Sequence, residues 1–375
     1  MITFREIAPN KFVLLRESLS TFYMHNKTIN KLEKCRSLEF NIKEEKRGTN
    51  EKFWLVNEEF NNEFMFKSNH RTASRIKENG FIYGELITDL ICNRIGMDNT
   101  NYYPCHVIFE DGTFMQGSIS PNYRKGKYNN EYSGESVTMK YIKSQYDNNN
   151  GIIPHIEYNT VYEYMKELKS LYGSRLGEQK IQTFKQYLLQ MALLDYATCQ
   201  TDRHWGNIGW MRDSQVGMQT MTYIPLYDNE SCFLLNKSLE WIDALAEKLE
   251  KTKNGKKTVI GPMVNGADRT PRLGVKTATT ICKDGVKILK KPIVPGQKTN
   301  IEVFQEEIAD EILNNKKLEK FYKKIKGLKL KKELQECEYF PESVISVVSS
   351  IWEVRIEQLE QILQRKREEG NEMSA

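Results

Sequence analysis

The chain has 375 residues, of which 39% are hydrophobic, and a formal net charge of +5. This composition supports a sizeable core and excludes disorder over the whole chain, and so mild a charge does not by itself indicate nucleic-acid binding. The seven cysteines form no Cys-x-x-Cys pair, and the first residues are not those of a signal peptide. No apolar run reaches the length of a membrane span. We therefore expect a cytoplasmic protein with reduced thiols that does not use a membrane.

The first 150 residues predict a small β-rich lobe with one helix. Two aromatic and β-branched runs, Phe53–Val56 and Phe64–Phe66, are bounded by turn residues and predict neighbouring strands. Residues 1–40 are only weakly periodic, and the polar residues 68–80 indicate a loop. This part of the chain is therefore expected to be built around a sheet.

The helix of this lobe is predicted over Phe81–Ile95, where apolar residues recur at helical spacing and Gly96 ends the pattern. A hairpin is expected around Glu110–Gly112, because turn residues there separate two β-forming runs. Residues 117–150 are rich in Asn, Tyr and Ser and predict a long loop.

From residue 155 onward the chain becomes helical. Apolar residues at helical spacing predict an amphipathic face in each helix. Two short strands follow the long second helix, at Ile208–Met211 and Met221–Ile224. The predicted helices cover Thr160–Tyr172, Gln179–Cys199 and several helices within 301–369.

Residues 248–298 stand apart as a basic excursion. They contain thirteen Lys or Arg against three Asp or Glu, several threonines and no aromatic residue. Base stacking on this stretch is therefore not expected. It is either a solvated basic loop, a segment that binds an acidic or nucleic-acid-bound acceptor, or a regulatory loop that the protein itself phosphorylates.

The most informative segment is Thr201–Gly209, which contains Asp202 and Asn207, with Asp228 following in the next turn-and-strand stretch. Phosphoryl transfer from ATP needs a carboxylate for the acceptor hydroxyl, and an amide and a second carboxylate for Mg²⁺. We therefore predict that Asp202 accepts the hydroxyl proton or orients the hydroxyl, and that Asn207 and Asp228 bind Mg²⁺. The structural alternative is that these residues cap helices and turns.

Lys67 ends an apolar strand and is predicted to point into a cleft, where it would hold the α- and β-phosphates of ATP. Such a lysine needs a carboxylate to position it, and Glu85 on the next helix is the candidate, with Glu78 and Asp89 as competitors. The alternative is a solvated lysine beside an exposed helical glutamate.

Other polar residues near the Asp202 segment are assigned structural roles. Arg203 is expected to be an ion-pair partner and His204 a hydrogen-bonding brace rather than a proton carrier. Cys199 is expected to be a small packed residue at a helix end. No ligand spacing supports a zinc site.

The turn Gly48-Thr-Asn-Glu-Lys52 lies just before a predicted strand. Backbone N–H groups and a hydroxyl in such a turn can bind phosphate, which makes Gly48, Thr49, Asn50 and Lys52 candidate nucleotide contacts. The chain contains neither a P-loop nor a Gly-x-Gly-x-x-Gly motif, which argues against P-loop and Rossmann enzymes.

Together these segments resemble the HipA-like serine/threonine kinases, over roughly residues 45–365. The similarity lies in the Gly48–Lys52 turn, the strand with Lys67, the helix with Glu85, Asp202-x-x-x-x-Asn and Pro225-Leu-Tyr-Asp. The Asp202-Arg-His-x-x-Asn segment also resembles the loop of phosphoinositide kinases, whose fold is related.

The resemblance implies an α+β, bilobal protein-kinase-like fold with ATP and Mg²⁺ between the lobes. The small β-rich N-lobe would span residues 1–150, and the larger, mainly helical C-lobe residues 151–375. It implies Asp202 as catalytic base and Lys67 on the phosphates. It also implies that the metal ligands are Asn207 and Asp228.

The expected activity is transfer of the γ-phosphoryl group of ATP to a protein Ser/Thr hydroxyl, with autophosphorylation as an option. Two departures from the family pattern bear on the acceptor: Thr201-Asp-Arg-His stands where Gly-Asp-x-His is usual, and Asp228-Asn-Glu where Asp-Leu is usual. The alternatives are a lipid or small-molecule kinase and a catalytically silent module that binds nucleotide or uses the fold to hold a partner. By resemblance alone, a helix-turn-helix antitoxin-like partner is an option, and nucleic acid is not required.

Overall fold

The computed structural model divides into two compact units, each built from three separate stretches of chain. The first unit comprises Met1–Tyr123, Pro225–Val259 and Lys329–Ser350, and the second comprises Arg124–Ile224, Ile260–Leu328 and Ile351–Ala375. The residues that the structure describes are 2–15, 38–44, 50–58, 62–71, 80–123, 130–133, 157–158, 161–203, 205–252, 254–265, 277–282, 285–289, 300–337 and 339–372.

Within the described part of the first unit, seven strands close into a barrel. Neighbouring strands pair antiparallel, except that β1 and β6 pair parallel and so complete the closure. Closure leaves no unpaired sheet edge. In chain order the strands are β1 (Ile2–Ala8), β2 (Lys11–Leu14), β3 (Glu39–Glu44), β4 (Asn50–Asn57), β5 (Asn62–Arg71), β6 (Tyr103–Ile108) and β7 (Phe114–Pro121).

Phenylalanine side chains fill the interior of the barrel. Phe4 and Phe40 meet edge to face, with ring centroids 5.5 Å apart, and Phe53 lies 4.9 Å from Phe66. Successive residues of a strand point to opposite faces, so Lys67 lies on the face of β5 opposite to Phe66. The strand that builds the core therefore presents Lys67 outside it.

The two strands predicted around Phe53 and Phe64 lie within β4 and β5, but the closed barrel itself was not predicted. Residues 1–40 gave only weak periodicity, whereas the structure contains β1, β2 and the start of β3 there. The predicted loop over residues 68–80 is wrong for its first part, because β5 continues to Arg71 and pairs with β7. These strands are specified by long-range pairing rather than by local pattern.

The predicted helix of the first lobe is present as α1 (Phe81–Ile95), and it ends where Gly96 adopts a left-handed φ of 74°. Thirteen of its fifteen residues are buried, including Glu85 and Asp89. A helix buried on most sides explains why a single apolar face describes its sequence poorly.

The remaining described helices are numbered in chain order. Ser238 caps α4 by accepting the N–H of Trp241, and Asn315 caps α7 by accepting those of Lys317 and Leu318. The helices are α2 (Val161–Leu176), α3 (Glu178–Ala197), α4 (Leu239–Lys251), α5 (Gly261–Asn265), α6 (Asn300–Asn314), α7 (Lys316–Gly327), α8 (Leu330–Gln335) and α9 (Glu342–Glu372). None of them, among the described residues, combines the length and apolar sequence needed to cross a bilayer.

The second unit is mainly helical, with two small sheets among its described residues. In one sheet β10 (Gly209–Arg212) lies between β8 (Asn130–Ser133) and β11 (Thr222–Tyr223). The other has β12 (Thr277–Cys282) between β9 (Glu157–Tyr158) and β13 (Gly285–Leu289).

The described residues of the basic stretch 248–298 are more regular than the sequence suggested. They form the end of α4, a π-helical turn at Lys256–Ile260, the short α5 and the hairpin of β12 and β13. Likewise, part of the loop predicted over residues 117–150 is strand, in β7 and β8. The molecule is thus a mixed α/β protein with a β-rich N-terminal part and a helical C-terminal part.

Candidate active site

Lys67 lies at the centre of a cluster of carboxylates in the first unit. Its Nζ is 2.7 Å from Glu85 Oε1, 2.9 Å from Asp228 Oδ1 and 3.8 Å from Glu230 Oε2. The Glu85 side chain is 2% exposed, that of Lys67 15% and that of Asp228 31%. Three of the predicted site residues therefore meet here, and Asp228 is the most accessible of them.

Helix α1 reaches this cluster because Gly84 has no side chain. A Cβ at this position would lie 2.7 Å from the carbonyl oxygen of Glu230 and 2.8 Å from that of Asn229. At this close approach the N–H of Asn229 donates to Glu85 Oε2 over 2.9 Å. Both oxygens of Glu85 are thus engaged, one with Lys67 and one with the backbone beside Asp228.

The charges of the cluster keep Lys67 protonated. Burial alone would lower the pKa of Lys67, but the carboxylates of Asp228, Glu85 and Glu230 outweigh it and raise that pKa well above its usual value. Tyr102 lies beside them, and its buried phenol accepts the N–H of Asp228 at 3.5 Å, the limit for a hydrogen bond. Burial and then the Glu85 charge raise the pKa of Tyr102 well above its usual value.

The same carboxylates are suited to a hard divalent cation. One oxygen from each of Glu85, Asp228 and Glu230 can be chosen so that all lie within 4.8 Å of one another. Mg²⁺ prefers such oxygen ligands, and a protonated lysine next to them suits a phosphate group. The residues present therefore fit Mg²⁺ with a nucleotide. Asp228 itself has a left-handed φ of 60°, an uncommon conformation for a residue other than glycine.

Asp202 and Asn207 belong to the second unit, in the segment that follows α3. The helix stops when Cys199 turns left-handed with a φ of 50°, and the N–H of Gln200 then donates to Asp195 O. Asp202 is exposed, and its N–H donates to Gln200 Oε1 over 3.0 Å. Asn207 is largely buried in a 3₁₀ turn, and its Nδ2 lies 3.4 Å from Asp202 O.

A buried ion pair anchors this segment to α3. The guanidinium of Arg203 contacts both carboxylate oxygens of Asp195, at 3.0 and 3.1 Å, and both side chains are at most 1% exposed. Burial raises the pKa of Asp195, and the Arg203 charge lowers it only in part. The structural role predicted for Arg203 is confirmed, and Cys199 is buried as predicted. His204 lies outside the described residues.

The predicted phosphate-binding turn is only partly described. Gly48 and Thr49 lie outside the described residues, while Asn50 is the first residue of β4. Lys52 pairs in register with Lys67 on β5, and paired residues of neighbouring strands share one face of the sheet. Lys52 and Lys67 therefore lie side by side on the outer face of the barrel.

Sequence reasoning did not assign Glu230 or Tyr102 to the site. Glu230 follows Asp228 by two residues, and this acidic pair was a usable signal. Tyr102 gave none, because its approach to Asp228 depends on the folded chain.

Comparison with solved structures shows the fold of a kinase. The chain aligns with the proinflammatory kinase CtkA of Helicobacter pylori at a TM-score of 0.56 and 13% sequence identity, covering 87% of this chain and 96% of that one. This alignment confirms the kinase fold that the resemblance implies. No protein-family model matches the sequence, and no curated protein matches it.

A second structure is the HipA toxin of Shewanella oneidensis MR-1, solved with HipB and its operator DNA. It aligns at a TM-score of 0.42 and 13% identity, covering 84% of this chain and 64% of that one.

Proposed function

We propose that the protein is a bilobal, ATP- and Mg²⁺-dependent kinase that transfers the γ-phosphoryl group to a Ser/Thr hydroxyl of a protein. The observation that carries the proposal is the contact of one lysine with two acidic residues, Glu85 at 2.7 Å and Asp228 at 2.9 Å. A kinase that binds ATP needs such a lysine held by a carboxylate, next to a metal-binding aspartate. The kinase fold supports the same conclusion.

Each proposed role follows from the chemistry of the side chain. Lys67, kept protonated by its neighbours, holds the phosphates, and Glu85 holds Lys67 in place. Asp202, which is exposed, accepts the proton of the acceptor hydroxyl. Asn207 and Asp228 hold Mg²⁺, which when bound neutralises the charge that develops on the phosphates. The turn with Gly48, Thr49, Asn50 and Lys52 adds contacts to phosphate.

The test is transfer of ³²P from labelled ATP to added proteins and to the protein itself. Asp202→Ala and Asp228→Ala are expected to abolish transfer, whereas Asp243→Ala, at an exposed position of α4, serves as the matched control and should retain it. Circular dichroism would show that all three variants are folded. Wild-type activity in either of the first two variants refutes the assignment of that residue.

A panel of protein, inositol lipid and aminoglycoside acceptors decides the substrate class. Label in the lipid or the aminoglycoside but not in protein would replace the protein-kinase proposal with the small-molecule one. Phosphopeptide mapping over residues 248–298 tests autophosphorylation, and an unmodified chain would exclude it.

Thermal unfolding with and without Mg-ATP separates an enzyme from a module that does not bind nucleotide. A ligand that binds only the native state must raise its stability, so the melting temperature should rise with nucleotide concentration. Co-purification with a helix-turn-helix protein would test the regulatory partner, which rests on family resemblance alone.

A further inference from the structure

Helix α1 carries two buried carboxylates one turn apart, Glu85 and Asp89, and the proposed function uses only the first. Residues four apart lie on the same side of a helix. Both are 1% exposed. Burying a carboxylate is costly unless hydrogen bonds compensate, so the partners of Asp89 indicate what it does.

Asp89 binds the stretch of chain that follows α1. Its Oδ1 accepts side-chain N–H groups from Asn99 at 2.6 Å, Asn101 at 2.9 Å and Asn93 at 3.1 Å. The backbone N–H of Tyr102 also donates to the carboxylate. One carboxylate thereby fixes Asp98–Tyr102, which we call the 98–102 segment.

The 98–102 segment in turn holds the chain that leads to Asp228. Thr100 N–H donates to Leu226 O over 2.7 Å, and Leu226 N–H donates to Asp98 O over 3.2 Å. Two residues further along, the N–H of Asp228 meets the Tyr102 hydroxyl. The 98–102 segment therefore connects the two aspartates: it is bonded to Asp89 on one side and to Leu226 on the other, with the Tyr102 hydroxyl 3.5 Å from the Asp228 nitrogen.

We propose that Asp89 is a positioning residue for Asp228: it fixes the 98–102 segment, which sets the position of the Asp228 carboxylate, while Glu85 fixes the same stretch through the N–H of Asn229. For its catalytic consequence this proposal rests on the proposed function, in which Asp228 is a metal ligand. The two carboxylates of α1 thus hold the Asp228 stretch from two points.

The first test measures backbone hydrogen exchange in the nucleotide-free protein. In Asp89→Ala the amides of Thr100, Leu226 and Asp228 are expected to exchange about ten-fold faster, because their hydrogen bonds open more often. Asn101→Ala, which removes one donor, should do the same to a smaller extent and serves if Asp89→Ala does not fold.

The matched control is Asn57→Ala, which removes a partly buried hydrogen bond of 2.8 Å from Asn57 Nδ2 to Glu39 O in the barrel. It should leave exchange at residues 225–230 unchanged. If the Asp89 and Asn101 variants leave that stretch unchanged too, or loosen the barrel equally, the positioning role is overturned.

The second test measures ³²P transfer against Mg²⁺ concentration. Asp89→Ala and Asn101→Ala are expected to raise the Mg²⁺ concentration needed for half-maximal activity by about ten-fold, since residues that orient metal ligands have effects of this size. The rate at saturating Mg²⁺ should fall less, and Asn57→Ala should leave the Mg²⁺ requirement unchanged.

The two tests fail separately. A wild type that transfers no phosphate to any acceptor contradicts the proposed function, while the exchange data still decide the positioning role. An unchanged Mg²⁺ requirement in active variants whose 225–230 stretch exchanges faster shows that the position of Asp228 does not govern the metal, and this overturns the catalytic part of the inference.

Discussion

At Lys67 one ammonium group contacts the carboxylates of Glu85, Asp228 and Glu230. Removing the ammonium leaves these negative charges close together, with Glu85 almost fully buried. Lys67 is therefore expected to stabilise the folded protein in addition to its proposed contact with ATP.

Lys67→Ala is expected to lower the free energy of unfolding by about 3 kcal/mol, the size typical of a buried ion pair that loses one partner. Urea denaturation measures it. Lys11→Ala is the control, because the Lys11–Glu39 pair spans 3.7 Å with both side chains more than half exposed, so its loss should cost less than about 1 kcal/mol. Equal losses of unfolding free energy in the two variants would contradict a stabilising role for the Lys67 ammonium group.

Asp89 makes stability depend on pH. Burial raises the pKa of its carboxyl from 3.8 to about 7, and hydrogen bonds from Asn101, Asn99, Tyr102 N–H and Asn93 lower it only in part. The folded protein therefore keeps a proton here that the unfolded chain releases. This contribution to stability is fully present below about pH 4 and is lost as the pH rises through about 7.

Asp89→Asn removes the titration. As the pH rises from about 5 to about 7, wild type should lose roughly 2 kcal/mol of unfolding free energy relative to this variant, at about 1.4 kcal/mol per pH unit. Urea denaturation curves at the two pH values measure the difference. Parallel losses in the two proteins would exclude Asp89 as the titrating group.

At the scale of elements, β5 and β7 pack unusually closely at the strand that carries Lys67. A Cβ on Gly117 of β7 would lie 2.0 Å from the carbonyl oxygen of Lys67. A side chain there must push the two strands apart. Gly117 therefore allows β5 and β7 to pair closely in the barrel, and this pairing sets the position of Lys67.

Gly117→Ala is expected to destabilise the protein by roughly 1–3 kcal/mol, because an added methyl group overpacks the strand pair. Thermal or urea unfolding measures it. Gly370→Ala in α9 is the control, since nothing lies within 4 Å of its added Cβ and alanine favours a helix by about 1 kcal/mol. Unchanged stability in Gly117→Ala would contradict the close packing.

Sequence patterns predicted the elements that are specified by neighbouring residues in the chain. Helix α1 was predicted with its observed bounds, because its apolar spacing and Gly96 are both written in sequence. Strand β1 was not predicted, although Ile2 and Phe4 alternate with less buried residues, since its parallel pairing with β6 involves residues a hundred positions away. What local pattern lacks is the information on which strand pairs with which.

The same limit applies to the site. The sequence predicted Lys67, Glu85 and Asp228 as site residues, and the structure places the carboxylates of Glu85 and Asp228 within 3 Å of the Lys67 ammonium group. From the sequence we chose Glu85 and kept Asp89 as a competitor, because the two lie on one side of the same helix, and the structure separates them by the residues that they contact. Glu230 was not assigned to the cluster, although its place two residues after Asp228 was a signal in the sequence.

At the scale of the whole molecule, the first unit is assembled from stretches far apart in sequence. Helix α1 and the residue before it contact the two later stretches: Gly80 N–H donates to Lys237 O over 3.1 Å, Tyr83 packs on Phe340, and Arg94 pairs with Glu333. A fragment that ends before residue 225 lacks the partners of these contacts.

We therefore expect residues 1–150, expressed alone, to unfold without a cooperative transition and to bind a dye for exposed apolar surface, because the part of α1 that packs on the two later stretches would lose its cover. Co-expression with residues 151–375 should restore cooperative unfolding. A fragment 1–150 with a sharp thermal transition of its own would instead support the lobe boundary predicted from the sequence.

Lys67 and Asp228 are 161 positions apart in the chain, so they are synthesised at different times. A ribosome adds roughly 5–20 residues per second, so Asp228 is synthesised about 10–30 s after Lys67. During that interval Glu85 is the available partner of Lys67, and residues 329–350 emerge later still. A chain that has not been translated past residue 230 therefore cannot hold the complete cluster, and it also lacks the last stretch of the first unit.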